Sequence, residues 1–221
     1  MHIPDGIIDA PVILVGGYAV TGGLTWFCLD RINRRERDPQ SKIPKAALLA
    51  ATFFVVNAIN IPVPPSSLHL VLNGMLGVVL GYYAFPAILV ALFFEAIIFQ
   101  HGGITTLGLN GMIMGFPALI AFYLFRWRSR FKLKEPLRTK VFAFLAGAGG
   151  VMIAAGIFTL TVILTITSDL DAQAERQATY VALALYGIPA VIEGIFTMML
   201  ASFLDRVKPG LLEGTLKVGE P

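Results

Sequence analysis

The feature that most constrains this chain is the length of its apolar runs. Ala84 to Phe99 holds one ionisable side chain, Glu95, and Val141 to Thr167 holds none. A water-soluble domain needs a polar surface, and about a quarter of its residues are normally charged. Here 56% are hydrophobic and 14% charged, with a mean hydropathy of +0.75. The alternative solvent is lipid, where every backbone N–H and C=O must be satisfied within the protein. Only helices and closed barrels manage that. Barrel strands alternate apolar and polar residues, whereas these runs are unbroken. The chain is therefore expected to be an all-α integral membrane protein.

Seven stretches approach the roughly 20 residues needed to cross a bilayer: 7–29, 44–62, 67–82, 84–100, 109–125, 141–167 and 179–204. They make a single transmembrane domain over 1–206, followed by a tail over 207–221. Only the aromatic, proline-bearing turn from Gly81 to Pro86 separates the third stretch from the fourth. Of the 17 Lys and Arg, all but Arg176 fall in three places: 31–45, 126–140 and the C-terminal stretch from Arg206 to Lys217. Seven crossings put these three segments on one face, which the positive-inside rule makes cytoplasmic. The N-terminus is then outside and the C-terminus inside, in the cell membrane. Arg176 lies in an outer acidic loop with Asp169, Asp171 and Glu175. Residues 1–6 lack the cations of a cleaved signal peptide, so the first helix reads as an uncleaved anchor. No phosphate-binding loop of the Walker type is present, so ATP is not hydrolysed by this chain. Cys28 lies in an apolar run and reads as packing. Ala47 with Ala51, and Gly150 with Ala154, are small pairs at helix-packing spacing. They serve either the bundle itself or a docked membrane partner.

The chemistry concentrates on three histidines, His2, His69 and His101, all at or just beneath the outer face. Initiator methionine is normally removed only when a small residue follows, so Met1 is expected to stay ahead of His2. That leaves three nitrogens linked by short chelate rings: the terminal amine, the His2 backbone nitrogen if a metal displaces its proton, and the His2 ring. A fourth nitrogen completes a square plane, the geometry of Cu(II) or Ni(II). His69 is the candidate, one turn into the third span after the proline-rich stretch Ile61 to Ser67. Ile3-Pro4-Asp5-Gly6 is turn chemistry able to fold the first residues back into the bundle. Asn73, four residues after His69, could orient a ligand ring.

His101 opens a glycine- and threonine-rich stretch, His101 to Asn110, read either as a re-entrant loop over the site or as an ordinary outer connection. Glu95 and Glu193 lie inside spans, where carboxylates are costly and usually functional. Glu95 could sit near Gln100 and His101. Glu193, four residues after Pro189, could satisfy backbone or pair across helices. Neither is expected to hold metal.

Three segments together resemble the CbiM/NikM family: Met1-His2-Ile3-Pro4-Asp5-Gly6, Ser67-Leu68-His69-Leu70-Val71-Leu72-Asn73-Gly74, and His101-Gly102-Gly103-Ile104-Thr105-Thr106-Leu107-Gly108. These are substrate-capture (S) components of energy-coupling-factor transporters for cobalt and nickel. The resemblance covers nearly the whole chain. It implies a seven-helix bundle with the N-terminus inserted from outside, and metal held by the Met1 amine, the His2 backbone and ring nitrogens, and His69. It implies no cofactor, only transported Ni2+ or Co2+. The partners it implies are a transmembrane coupling component, cytoplasmic ATP-binding subunits and often a small accessory membrane protein. A planar nitrogen set leans towards Ni(II), but the same set holds Co(II), so the metal stays open. Two other functions compete. A self-sufficient secondary transporter would use Glu95 and Glu193 for proton coupling, though no inverted repeat supports it. A membrane metalloenzyme would need an open coordination position and a general base, and no His-Glu-x-x-His is present.

Overall fold

The computed structural model of the chain describes residues 1–8, 10–59, 61–63, 66–165 and 172–212. The acidic-loop residues Asp169 and Asp171 and most of the expected tail lie outside these. The helices are α1 (Pro11–Arg35), α2 (Ile43–Asn57), α3 (Asn73–Leu80), α4 (Ala84–Ile98), α5 (Leu107–Trp127), α6 (Glu135–Thr165), α7 (Ala172–Leu185) and α8 (Gly187–Val207). Prolines at the first turns of α1 and α2 suit positions whose N–H has no helical partner. Two short strands, β1 (Ile61–Val63) and β2 (Ser66–Leu68), pair antiparallel with Ile61 opposite Leu68.

The hairpin changes the expected third span. Helix begins at Asn73 rather than at 67, and His69 sits in the connection between β2 and α3. Leu72, at φ 54, breaks any continuation. The Val71 and Leu72 amides donate to Glu193 of α8 instead of to helical carbonyls.

By length and composition alone, five stretches among the described residues could cross a membrane: Pro11–Arg35, Asn73–Ile98, Leu107–Arg130, Glu135–Thr165 and Arg176–Val207. The second of these is not one rod. A continuous helix over 73–98 would hold its ends about 39 Å apart. Yet the rings of His69 and His101, just beyond those ends, have centroids 6.1 Å apart. The chain therefore reverses through Gly81–Tyr83, where Gly81 takes φ 58. The reversal lies at the cation-rich face, because Lys45 donates to the carbonyls of Val79 (3.0 Å) and Leu211 (3.2 Å).

Polarity is inverted relative to a soluble protein. Val12 is 83% exposed and Trp26 and Leu164 70%, while Asn57 and Asn73 are fully buried. This is a multi-pass membrane protein. Small residues of α6 seat the centre. A Cβ at Gly150 would lie 2.8 Å from Gly74 Cα and Asn73 Oδ1, and one at Gly147 would lie 2.8 Å from the Glu193 carbonyl. The Gly150/Ala154 pair thus packs α6 within the bundle, whereas Ala47 and Ala51 are exposed.

Candidate metal centre

The first residues fold into the bundle, and the 101–110 stretch receives them. Met1 and Ile3 are 5% and 2% exposed. Asn110 grips Ile3 from both sides. Its Oδ1 accepts from the Ile3 amide at 2.9 Å and its Nδ2 donates to the Ile3 carbonyl at 3.1 Å. Thr106 Oγ1 donates to the same carbonyl at 2.6 Å. Asp5 caps the loop, accepting from the amides of Ile104 (3.1 Å) and Thr105 (3.0 Å) and from the Thr105 hydroxyl. The Thr105 hydroxyl, then these amides, hold the Asp5 carboxyl below its ordinary 3.8. Gly103 must be glycine for this contact, since a Cβ would overlap the Asp5 carboxylate. Gly6 takes φ 82, as the expected turn requires.

The insertion brings nitrogen atoms together. The Met1 amine touches His69 Nε2 and lies 3.3 Å from the Tyr186 hydroxyl. His69 is 2% exposed. The His2 ring stacks on His69 at 5.3 Å and meets His101 at 4.6 Å, centroid to centroid. His2 Nδ1 is buried and has no hydrogen-bond partner among the described residues. Such an atom costs free energy unless something satisfies it. Burying an isolated ammonium against imidazoles costs more still, whereas a neutral amine is a good ligand. Among the described residues no trio of His, Cys, Asp or Glu side chains forms a metal cage. The donors that converge include the chain terminus.

The outer nitrogen of His2 faces an acid–amide pair. Asn57 Nδ2 lies 2.9 Å from His2 Nε2 and donates to both Glu95 oxygens, at 3.0 and 2.9 Å. Glu95 Oε2 itself lies 3.5 Å from His2 Nε2. A carboxylate behind a ligand imidazole orients the ring and favours the tautomer whose other nitrogen is free for metal.

Met1, His2 and His69 therefore meet, with His101 against the His2 ring. The Glu95 side chain turns to Asn57 and His2, while its backbone carbonyl accepts from the His101 amide at 3.2 Å. Asn73 is elsewhere. Its amide donates to the Met114 (3.3 Å) and Gly150 (3.2 Å) carbonyls, fastening α3 to α5 and α6. Glu193 accepts from the Val71 and Leu72 amides, the latter at 2.7 Å. Its helix, α8, thus supports the His69 segment, and Tyr186 just ahead of α8 meets Met1. Sequence reasoning missed Asn57, Asn110 and Tyr186. A polar amide within an apolar helix was the available signal for the two asparagines.

The profile of the family described as CbiM, cobalt uptake substrate-specific transmembrane region, matches residues 2–211. The cobalt transport protein CbiM of Clostridium tetani is 30% identical, over 93% of this chain and 85% of that protein. The fused nickel transport protein NikMN of Rhodobacter capsulatus is 32% identical, over 96% of this chain and 64% of that longer protein. The crystal structure of a transition metal transporter shares the fold, with a TM-score of 0.74 and 22% identity, over 94% of this chain and 93% of that one.

Proposed function

We propose, from the premise that this chain belongs to the CbiM family of cobalt-uptake substrate-specific transmembrane regions, that it captures Ni2+ or Co2+ as the substrate-binding subunit of an ATP-driven energy-coupling-factor importer. The observation that carries the reading is the inserted N-terminus. The Met1 amine meets His69 Nε2 inside the bundle, beside a buried His2 Nδ1 that has no hydrogen-bond partner among the described residues. The proposed donors are the Met1 amine, the His2 backbone nitrogen, His2 Nδ1 and His69 Nε2. Binding through the backbone nitrogen expels its proton and adds one negative charge. Glu95, 3.5 Å from the far side of the His2 ring, supplies a second. A divalent ion so held is neutralised locally, as a site of low dielectric requires.

The proposed topology has seven passes, counting α3 and α4 separately and α7 with α8 as one. The N-terminus is outside and the C-terminus cytoplasmic, in the inner membrane. The cation-rich face then meets a transmembrane coupling component and ATP-binding subunits, so this chain is not itself an enzyme. That some relatives are fused to further components supports such partners. Glu95 and Glu193 are each held by fixed amide donors, which does not favour a proton-coupled carrier.

The test is calorimetric titration of the detergent-solubilised full chain with Ni2+ and Co2+. It is run beside H69A and a variant with one residue added ahead of Met1. Near-stoichiometric binding in the wild type, lost in both variants, is the expected result. Unchanged binding in the extended variant would refute the N-terminal chelate.

A further inference from the structure

A second cluster of charge lies at the cation-rich face, away from the metal centre. Helix α5 runs into a 3₁₀ turn, Arg128–Arg130, and the spacing sends its arginines two ways. Arg128 is buried, with its guanidinium 3.9 Å over the Phe125 ring and a hydrogen bond of 3.0 Å to the Phe125 carbonyl. Arg126 and Arg130, one turn apart, instead line an open cavity of about 760 Å³ with Ile120, Tyr123, Leu124 and Trp127. Behind Arg126, a cleft of about 150 Å³ leads to Arg31 and Arg35 of α1. Arg31 lies over the Phe27 ring at 5.1 Å and Arg35 over the Tyr82 ring at 5.3 Å.

The carboxylates of this region are engaged with other cations. Asp30 pairs with Arg34 at 2.8 Å and Glu36 with Lys42 at 2.7 Å. Among the described residues, no carboxylate pairs with Arg31, Arg35, Arg126 or Arg130. Arg126 and Arg130 thus line an apolar-walled recess, and Arg126 also borders the adjoining cleft with Arg31 and Arg35, where the lining carboxylate, Glu36, is paired to Lys42. Trp127 and Tyr123 are 52% and 44% exposed, as aromatic residues are at the headgroup level of a bilayer.

We propose that this recess binds an anionic phospholipid from the leaflet on the cation-rich face. Arg126 and Arg130 take the phosphate, for which paired guanidinium forks are suited. Ile120 and Leu124 take the acyl chains, and Arg31 and Arg35 extend the positive field. A zwitterionic lipid would bring its own ammonium against unpaired guanidiniums. Free phosphate shares the headgroup chemistry but gains nothing from the apolar wall. Basic pockets between transmembrane helices at a cytoplasmic face are a recurring setting for anionic headgroups.

The test reconstitutes the full chain in equal phosphatidylglycerol and phosphatidylcholine, extracts it gently, and counts bound lipid by native mass spectrometry. R126A/R130A is compared with K132A/K134A, which removes the same charge from the exposed end of the same segment. The wild type and K132A/K134A are expected to retain phosphatidylglycerol selectively, with retention falling on the order of tenfold in R126A/R130A. R126K/R130K, which keeps the charge, should retain more than the alanine pair, and helical circular dichroism separates lipid loss from unfolding. Equal loss in both alanine pairs would mean diffuse surface charge. Equal retention of both lipids would mean apolar contact alone, and displacement of the lipid by millimolar inorganic phosphate would mean a free-anion site. Each of these three results overturns the proposal.

Discussion

Replacing Asp5 with alanine should release the N-terminus from the bundle without touching any proposed metal donor. The carboxylate accepts three hydrogen bonds, from the amides of Ile104 and Thr105 and from the Thr105 hydroxyl. Asp5 is exposed, so each bond belongs at the lower end of the usual range, at about 0.7 kcal/mol. Their loss weakens docking by about 2 kcal/mol, or roughly thirtyfold in the docking equilibrium. The readout is acylation of the Met1 amine by an activated ester, followed on the N-terminal peptide. The rate tracks the undocked fraction and requires no metal. D5A is expected to react on the order of thirtyfold faster, and D5N should fall between it and wild type. G103A should resemble D5A in the wild-type background, because its Cβ overlaps the carboxylate. It should add little in D5A, giving a non-additive cycle. Hydrogen bonding in the docked state lowers the Asp5 carboxyl below its ordinary 3.8. Its contribution is therefore complete above about pH 4 and lost as pH falls through the lower, docked value. Protection of the Ile104 and Thr105 amides, corrected for intrinsic exchange, should follow that window in wild type and not in D5A. An unchanged acylation rate in D5A would refute the clamp.

E193Q should destabilise the detergent-solubilised protein by about 2–4 kcal/mol, because an amide cannot accept both backbone donors with a charged group. It should also weaken nickel binding through the His69 segment, and an unchanged melting temperature would count against this support. N57A leaves the Glu95 carboxylate without its amide donor and the His2 ring without its guide. Nickel affinity by calorimetry should fall about 10–100-fold, and a loss of under twofold would remove Asn57 from the site. G150A should cost about 1–3 kcal/mol in thermal unfolding, since its Cβ meets Gly74 and Asn73 at 2.8 Å. G149A, with nothing within 4 Å, is the control and should be neutral or slightly stabilising; equal effects would undo the packing argument.

Membrane residence and helical class were legible in the chain itself, because lipid leaves an unbroken apolar run no other economical conformation. The clustering of all but one of the 17 cations likewise proposed which loops share a face. The unusual Met1-His2 start, the turn at Asp5-Gly6 and the isolated His69 sufficed to suggest a nitrogen site, since chelation by adjacent donors is local chemistry. What sequence could not deliver were contacts across the bundle. Glu193 and Val71 are 122 positions apart, and Asn57 and Glu95 are 38 apart. Helical periodicity carries no information about such partners. For the same reason His69 was expected on a helix: hydropathy cannot see that a distant carboxylate takes the amides of Val71 and Leu72 and leaves the helix to begin at Asn73. The chain alone determined its solvent, its helical class and its reactive groups. Which groups face one another was decided only by packing, where buried polar atoms had to find partners far away in sequence.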